Sequence, residues 1–343
     1  MRTIDGKVSL RKEDTMKTTL IVTHTDLDGV MAGLTAAQTS QSDATILYAE
    51  AGAPGIDAVL QQVLDDIVAD KVRKPTHVML LDNTPSMQML LQFNQVTGVQ
   101  PVVYDHHVSN APVWAEATTV ARFITDDTGT SSATELVFKD QRAAFTTLPF
   151  WQTLVTLTNL YDTWMWQDAA YDDDVATGST AQVLNEVLYF LGRERFSTLI
   201  TAAKEASISS DEKPRELLTK IFSPVIMGLV DDRMAANAAY VLKKAEDAEF
   251  GDLTIGATTY HYAYVTASKQ MSEIGNALTS LQDVDFGLVI NNGALSFRVA
   301  KEKDVDVSLV AAAFNGGGHA KASGAKLRLD WPDILQQAAT TEN

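Results

Sequence analysis

The chain contains no cysteine, which removes disulfides and thiolate metal sites together. Any metal must be held by histidine and carboxylate, a donor set that suits Mn, Mg, Zn or Fe rather than iron–sulfur chemistry. No apolar run approaches the ~18 residues that would span a bilayer. Met1 to Thr15 mixes charged and polar residues and lacks the apolar centre of a signal peptide, so the expected location is cytoplasmic and no membrane partner is expected. Positive charge is scarce: 27 Lys and Arg stand against 44 Asp and Glu, a net charge of −17. Such a chain repels long polyanions unless a basic groove or bound cations offset the field, which argues against a protein that tracks long duplex nucleic acid. A short phosphorylated substrate stays open, because bound divalent cations reverse the local sign. The first strand is not followed by G-x-G-x-x-G, so a dinucleotide-binding enzyme of the doubly wound type is excluded. Internal repeats and low-complexity segments are also lacking.

What is present is a set of apolar runs that end in acids and imidazoles. Leu20-Ile21-Val22-Thr23 runs into His24-Thr25-Asp26-Leu27-Asp28-Gly29. Val78-Met79-Leu80-Leu81 ends in Asp82, and Val102-Val103-Tyr104 ends in Asp105-His106-His107. Each reads as a buried strand of a parallel sheet delivering ligands to one edge, the edge where open α/β sheets place their sites. Asp26 and Asp28 can both reach neighbouring cations in the turn that Gly29 permits. Asp82 is placed to bridge two ions, His106 offers a neutral ring nitrogen, and Asp105 orients the local loop. Asp162, ending an apolar helix over 148–161, closes a second ion site. Hard carboxylate oxygens with a few imidazoles suit two divalent cations, Mn2+ first, with Mg2+ or Co2+ as alternatives. Such a pair can activate water and clamp a phosphate for in-line displacement.

In chain order, strands are expected at 18–23, 44–49, 77–81 and 101–104, with helices over 30–38 and 56–68. Thr84-Pro85 reads as an N-cap followed by proline at the first helical position. Ser132-Ala133-Thr134-Glu135 reads as a capping box opening a helix through Lys139. Asp126 and Asp127 read as loop acids, the Asp172-Asp173-Asp174 run as a solvated loop, His77 and His261 as ordinary strand residues, and Trp164 and Trp166 as packing residues. From 181 to 250 only helical signals appear, interrupted at Pro214 and Pro224. Beyond Leu253 strand-like runs (260–266, 286–291, 294–300) alternate with helices (271–281, 307–314), and Asn292-Gly293 marks a hairpin. Gly316-Gly317-Gly318-His319 is a glycine-rich loop whose N–H groups can approach an anion, with Lys321 or Ser323 adding donors. Period-two alternation puts Ser296 and Arg298 on one face, and with that loop they form a phosphate fork.

These residues resemble the DHH phosphoesterases that carry a C-terminal DHHA1 domain, the oligoribonuclease or nanoRNase-like branch, over nearly the whole chain after Met16. The resemblance implies metal ligation by His24, Asp26, Asp28, Asp82, His106 and Asp162, with Asp82 bridging and His107 contacting the scissile phosphate or its water. It implies that Arg298, Gly317, Gly318 and His319 bind the substrate's phosphate and terminal nucleotide. His24 departs from the pattern of many members, standing two residues before Asp26 rather than four. The expected architecture is α/β: an extension at 1–16, a parallel-sheet DHH domain at 17–190, a helical connector at 191–250 and a smaller DHHA1 domain at 251–343, with the active site in the interdomain cleft.

The activity implied is Mn-dependent hydrolysis of short oligoribonucleotides and dinucleotides to nucleoside monophosphates by a two-metal mechanism. Alternatives within the enzyme class are a cyclic or linear dinucleotide phosphodiesterase and a 3′-phosphoadenosine 5′-phosphate phosphatase. A catalytically idle nucleotide-binding regulator would lack ligands that here are all filled. Dimers occur in the family, so a homodimer is also open.

Overall fold

The computed structural model describes residues 18–40, 44–145, 149–167, 175–203, 212–300 and 302–327. The expected extension at 1–16, Leu148 and the Asp172–Asp174 run lie outside them. The chain divides into two compact units, Met1–Asp231 and Asp232–Asn343.

Unit 1 alternates strand and helix: β1 (Thr19–Thr23), α1 (Leu27–Thr39), β2 (Ala44–Tyr48), α2 (Ala53–Val68), β3 (His77–Leu81), α3 (Met87–Thr97), β4 (Val102–Asp105), α4 (Ala111–Glu116) and β5 (Arg122–Thr125). The helices α5 (Ala133–Asp140), α6 (Pro149–Asp162), α7 (Val175–Leu191), α8 (Arg193–Ala202) and α9 (Pro214–Phe222) follow, and α10 (Pro224–Glu246) runs across the boundary into unit 2. All five strands are parallel, in the order β2-β1-β3-β4-β5. Strand alternation sorts the core into two layers. Leu20, Val22, Val78, Leu80 and Val103 pack against α2 and α3 through Ile56, Leu60, Leu64, Leu90 and Phe93. Their neighbours Ile21, Leu81 and Tyr104 point the other way, onto Ala32 and Ala36 of α1 and Ala133, Leu136 and Val137 of α5. Burial on both faces explains why these strands read as continuous apolar runs.

This strand order has its switch point between β1 and β3, whose neighbouring connections leave to opposite sides, the position at whose carboxyl ends open α/β sheets place their sites. His24, Asp26 and Asp28 follow β1 and Asp82 follows β3, so the chemistry-bearing endings stand at that point.

One local reading is corrected, one is refined, and one element is new. Thr84 does not cap a helix: α3 begins at Met87, and its cap is Ser86, which accepts from Met89 N at 3.2 Å. The interruptions expected at Pro214 and Pro224 are helix starts: each proline opens the next helix, α9 and α10, where no intrahelical donor is needed. β5 was not anticipated, because its four residues are half-exposed or exposed and carry no apolar run.

Unit 2 contains β6 (Glu249–Ile255), β7 (Thr258–Thr266), α11 (Met271–Thr279), β8 (Phe286–Asn291), β9 (Ala294–Arg298), α12 (Val307–Ala312), β10 (Gly317–His319) and β11 (Ala322–Lys326). They form a sheet ordered β10-β11-β9-β8-β7-β6, antiparallel except for the β7–β8 pair that α11 connects. Asn292 and Gly293 take φ of 45° and 85°, the two left-handed residues a tight hairpin between β8 and β9 requires. The glycine-rich loop is here an edge strand: Gly317, Gly318 and His319 pair with Gly324, Ser323 and Ala322. Phe250, read with the helices, lies on β6, an edge strand whose burial alternates weakly. Among the described residues no helix is long and apolar enough to cross a membrane.

Gly29 is the tightest point of the β1–α1 turn. A Cβ there would stand 2.4 Å from the His24 carbonyl oxygen. Gly29→Ala should therefore lower stability by about 1–3 kcal/mol in urea denaturation; an unchanged midpoint would contradict this packing.

Candidate metal centre

Seven side chains meet at the carboxyl edge of the unit 1 sheet. Their ligand atoms form three groups, within each of which the atoms lie no more than 4.8 Å apart: His24, Asp26 and Asp82; Asp82, His106 and His107; and Asp28, His106 and Asp162. Asp82 and His106 each belong to two groups and so join the set.

The local chain explains each position. Asp26 is the N-cap of α1: one oxygen accepts from Gly29 N at 3.0 Å, and the other lies 3.0 Å from His24 Nδ1. Asp28 stands in the first turn of that helix rather than in an extended turn, and it is buried. Its two oxygens accept from the first two N–H groups of α5, Ala133 at 2.7 Å and Thr134 at 2.8 Å. A carboxylate at a helix N-terminus is favoured by both hydrogen bonding and the peptide dipoles. Asp82 follows β3 with φ of 54°, a left-handed conformation, while its N–H pairs with the Tyr104 carbonyl at 2.8 Å. That turn aims Asp82 Oδ2 at His24 Nδ1 (3.5 Å) and Oδ1 at His106 Nε2 (3.4 Å). Asp162, the last residue of α6, brings Oδ2 to 3.3 Å from His106 Nε2.

Asp105 works differently. Fully buried, it accepts from Thr84 Oγ1 at 2.5 Å, Asn110 Nδ2 at 2.7 Å and His107 N at 3.1 Å, and lies 2.7 Å from His107 Nδ1. Thr84 in turn accepts from Trp114 Nε1 at 3.0 Å. Both Asp105 oxygens are thus spent on neighbours, and His107 is held by it through both N and Nδ1. Asn110 and Trp114 were not singled out in the sequence, and Thr84, Ala133 and Thr134 were read only as capping residues; the capping box announced the start of α5 but not the carboxylate seated on it, 105 residues upstream.

The charges conflict. Burial, then the Asp82 carboxylate, pushes Asp28 up to about 7, and the same two causes raise Asp26. Burial and the carboxylates of Asp28, Asp82 and Asp26 hold Asp162 well above the usual range. Asp82 goes the other way: burial would raise it, but His106 and His24 hold it well below ordinary carboxylates. Burial opposes charging of the imidazoles, yet Asp26 and Asp82 lift His24 to about 10, and Asp82, Asp162 and Asp28 lift His106 to about 11. Asp105 lifts His107 to about 9.

A cation fits this set on independent grounds. Asp82 Oδ2, His106 Nε2 and Asp162 Oδ2 are buried atoms without a hydrogen-bond partner, and all three face the cluster. Oxygens with imidazole nitrogens are the donors that divalent Mn and its neighbours prefer.

In unit 2, Arg298 donates to Ser296 Oγ (3.1 Å), Phe297 O (2.9 Å) and Ser272 Oγ (2.7 Å), while its buried Nε has no partner. The register aligns Arg298, Ala322 and His319 across β9, β11 and β10, so Arg298 and His319 share a sheet face. Ser323 donates to the His319 carbonyl at 2.7 Å, and Lys321 is turned to the Lys303 carbonyl. A Cβ on Gly318 (φ 139°) would meet the Ala322 carbonyl at 2.7 Å, and one on Gly316 the Gly324 carbonyl at 2.1 Å, whereas Gly317 has open space. The glycines at 316 and 318 thus serve close strand packing.

No family model matches this chain. Oligoribonuclease NrnB of Bacillus subtilis (strain 168) is 24% identical to it over 317 residues, covering 90% of this chain and 72% of that protein. Among solved structures, the DHH domain of a member of the s1p family of ribosomal proteins superposes with a TM-score of 0.63 at 13% identity, covering 95% of this chain and 86% of that one. The fold of this chain is that of the DHH domain, and its sequence is similar to that oligoribonuclease.

The imidazoles give a signed pH dependence. His24 and His106, raised to about 10 and 11, are protonated at pH 7 when metal-free, and a cation must displace those protons. Mn2+ affinity should rise between pH 6 and 8, with proton release seen by calorimetry in buffers of different ionisation enthalpy. Affinity independent of pH and buffer would contradict the geometry.

Proposed function

We propose that the chain is a phosphodiesterase that hydrolyses short oligoribonucleotides, dinucleotides included, to nucleoside monophosphates with two divalent cations, Mn2+ first. The observation that supports it most is Asp82, a buried carboxylate with one oxygen turned toward each of two ligand groups. His24, Asp26 and Asp82 would hold one ion; Asp82, Asp28, His106 and Asp162 the other. When bound, the pair supplies Lewis acidity, offsetting charge on the transferring phosphoryl group and acidifying water.

The remaining steps belong to side chains. Asp82 fixes the spacing of the two ion sites. Asp105, braced by Thr84 and Asn110, keeps His107 oriented through Nδ1 and protonated at neutral pH, so that the imidazolium donates to a phosphoryl oxygen as charge develops there. In unit 2 the Arg298–Ala322–His319 row offers donors for a substrate phosphate, and the unpartnered Arg298 Nε is one of them. The net charge of −17 favours short substrates over long polyanions. The similarity to an oligoribonuclease points to the same substrate class.

A Mn2+-supplemented time course on a labelled dinucleotide, beside a 24-mer, a cyclic dinucleotide and 3′-phosphoadenosine 5′-phosphate, tests the reading. Rapid loss of the dinucleotide with a slow 24-mer is expected; an intact dinucleotide beside a degraded 24-mer would overturn it. Asp82→Ala or His106→Ala should cut turnover by more than about 100-fold, beyond the loss of a supporting contact, with the fold intact by circular dichroism. Arg298→Ala should raise KM about tenfold or more while largely keeping kcat, the worth of a charged hydrogen bond; an unchanged KM would remove Arg298 from the pocket.

A further inference from the structure

We propose that Asn159 is a positioning residue for one of the two cations, the one shared by Asp28, His106 and Asp162. The inference rests on the two-cation reading above and deepens it. Asn159 lies on α6 one turn before Asp162. Its side-chain amide reaches across to the loop before α5, Oδ1 accepting from Ser132 N at 2.6 Å and Nδ2 donating to Thr130 O at 3.2 Å. That loop is braced on its other side by Asp126, whose carboxylate gathers Thr128 N (2.8 Å), Thr130 N (3.0 Å) and Ser131 N (2.7 Å).

Ser132 is the N-cap of α5, its Oγ accepting from Glu135 N at 3.3 Å. In a complete capping box the N3 glutamate would take the cap's own N–H. Here Asn159 takes that N–H, and Glu135 pairs with Lys139 instead. The next two amides, Ala133 and Thr134, hold the Asp28 carboxylate, and Thr134 Oγ1 donates to the Asp28 carbonyl at 2.9 Å. The N–H that would close the box locally is thereby committed to the helix that ends in Asp162.

A single hydrogen-bond path therefore joins two carboxylates that are far apart in sequence: Asp162, α6, Asn159, Ser132, the α5 amides, Asp28. Those two carboxylates flank His106 Nε2, at 3.3 and 3.9 Å. The path fixes their separation, and no bond along it touches His24 or Asp26. Loss of Asn159 should loosen one ion site and leave the other as it was.

Mn2+ alone is the probe, titrated into the full-length chain at fixed pH, with binding followed by calorimetry and by the free-Mn2+ paramagnetic resonance signal. The wild type should bind two ions. Asn159→Leu, near-isosteric and without either hydrogen bond, should bind one ion with unchanged Kd and the other about 10–100-fold more weakly. Asp162→Asn serves as the reference for the affected ion. Equal weakening of both ions, or no change in either, would overturn the inference. A wild type that binds fewer than two ions would instead sink the two-cation reading and this role with it, a failure visible before any variant is compared. If Asn159→Leu does not fold, a second pair decides: Thr134→Val should weaken the same ion while Thr134→Ser, which keeps the hydroxyl, restores it. Thr134→Val with wild-type affinities at both sites would overturn the inference.

Discussion

Crowding of negative charge at one buried edge is the constraint on which unit 1 depends. Asp26, Asp28, Asp82 and Asp162 converge there with only imidazoles between them, and three of the four carboxyls are pushed up as a result. Left alone, buried carboxylates that close repel one another and lose their water, a penalty of several kcal/mol per ion. The surrounding structure is organised to hold them together. The α1 turn lends Asp26 the Gly29 N–H, and α5 lends Asp28 two amides. The only strongly acidic member, Asp82, sits in the middle between His24 and His106. A donor set strained in this way, with three bare polar atoms facing inward, is one that cations complete rather than disturb.

The sheet makes the crowding geometrically available. In the order β2-β1-β3-β4-β5 the central strands β1, β3 and β4 lie side by side, and each ends in a turn that carries acids or imidazoles of the cluster. Strands this short, four or five residues, deliver their terminal side chains to one plane with little lateral error. The two core layers lock the strands from both faces, so the endings cannot slip in register without exposing Ile21, Leu80 or Val103. Precision at the site is thus inherited from a hydrophobic core that has no part in the chemistry.

Much of this was legible from the residues. Apolar runs ending in Asp or His located the edge, because nothing in a core calls for such endings; of the eight acids and imidazoles singled out there and at the end of the 148–161 helix, all but Asp105 fall in the three ligand groups. The hairpin at Asn292-Gly293 and the start of α5 were likewise local signals with local causes. What could not be read was non-local. Thr84 looked like a helix cap because proline follows it, but its hydroxyl is drawn to the buried Asp105, 21 residues on. The Asn159 bridge to Ser132 spans 27 residues and leaves no periodic trace. The glycine run at 316–318 leads into β10, which pairs with β11 where a Cβ on Gly316 or Gly318 would have no room, a long-range demand the sequence does not announce. β5 escaped because an edge strand with half-exposed faces has no hydrophobic pattern to announce it.

The central claim is that two cations share Asp82, and anomalous diffraction at the manganese absorption edge from Mn2+-soaked crystals tests it most directly. Two peaks are expected at the sheet edge, one among His24, Asp26 and Asp82 and the other among Asp82, Asp28, His106 and Asp162. A single peak that leaves one of these groups empty, or no peak beside Asp82, would contradict the account.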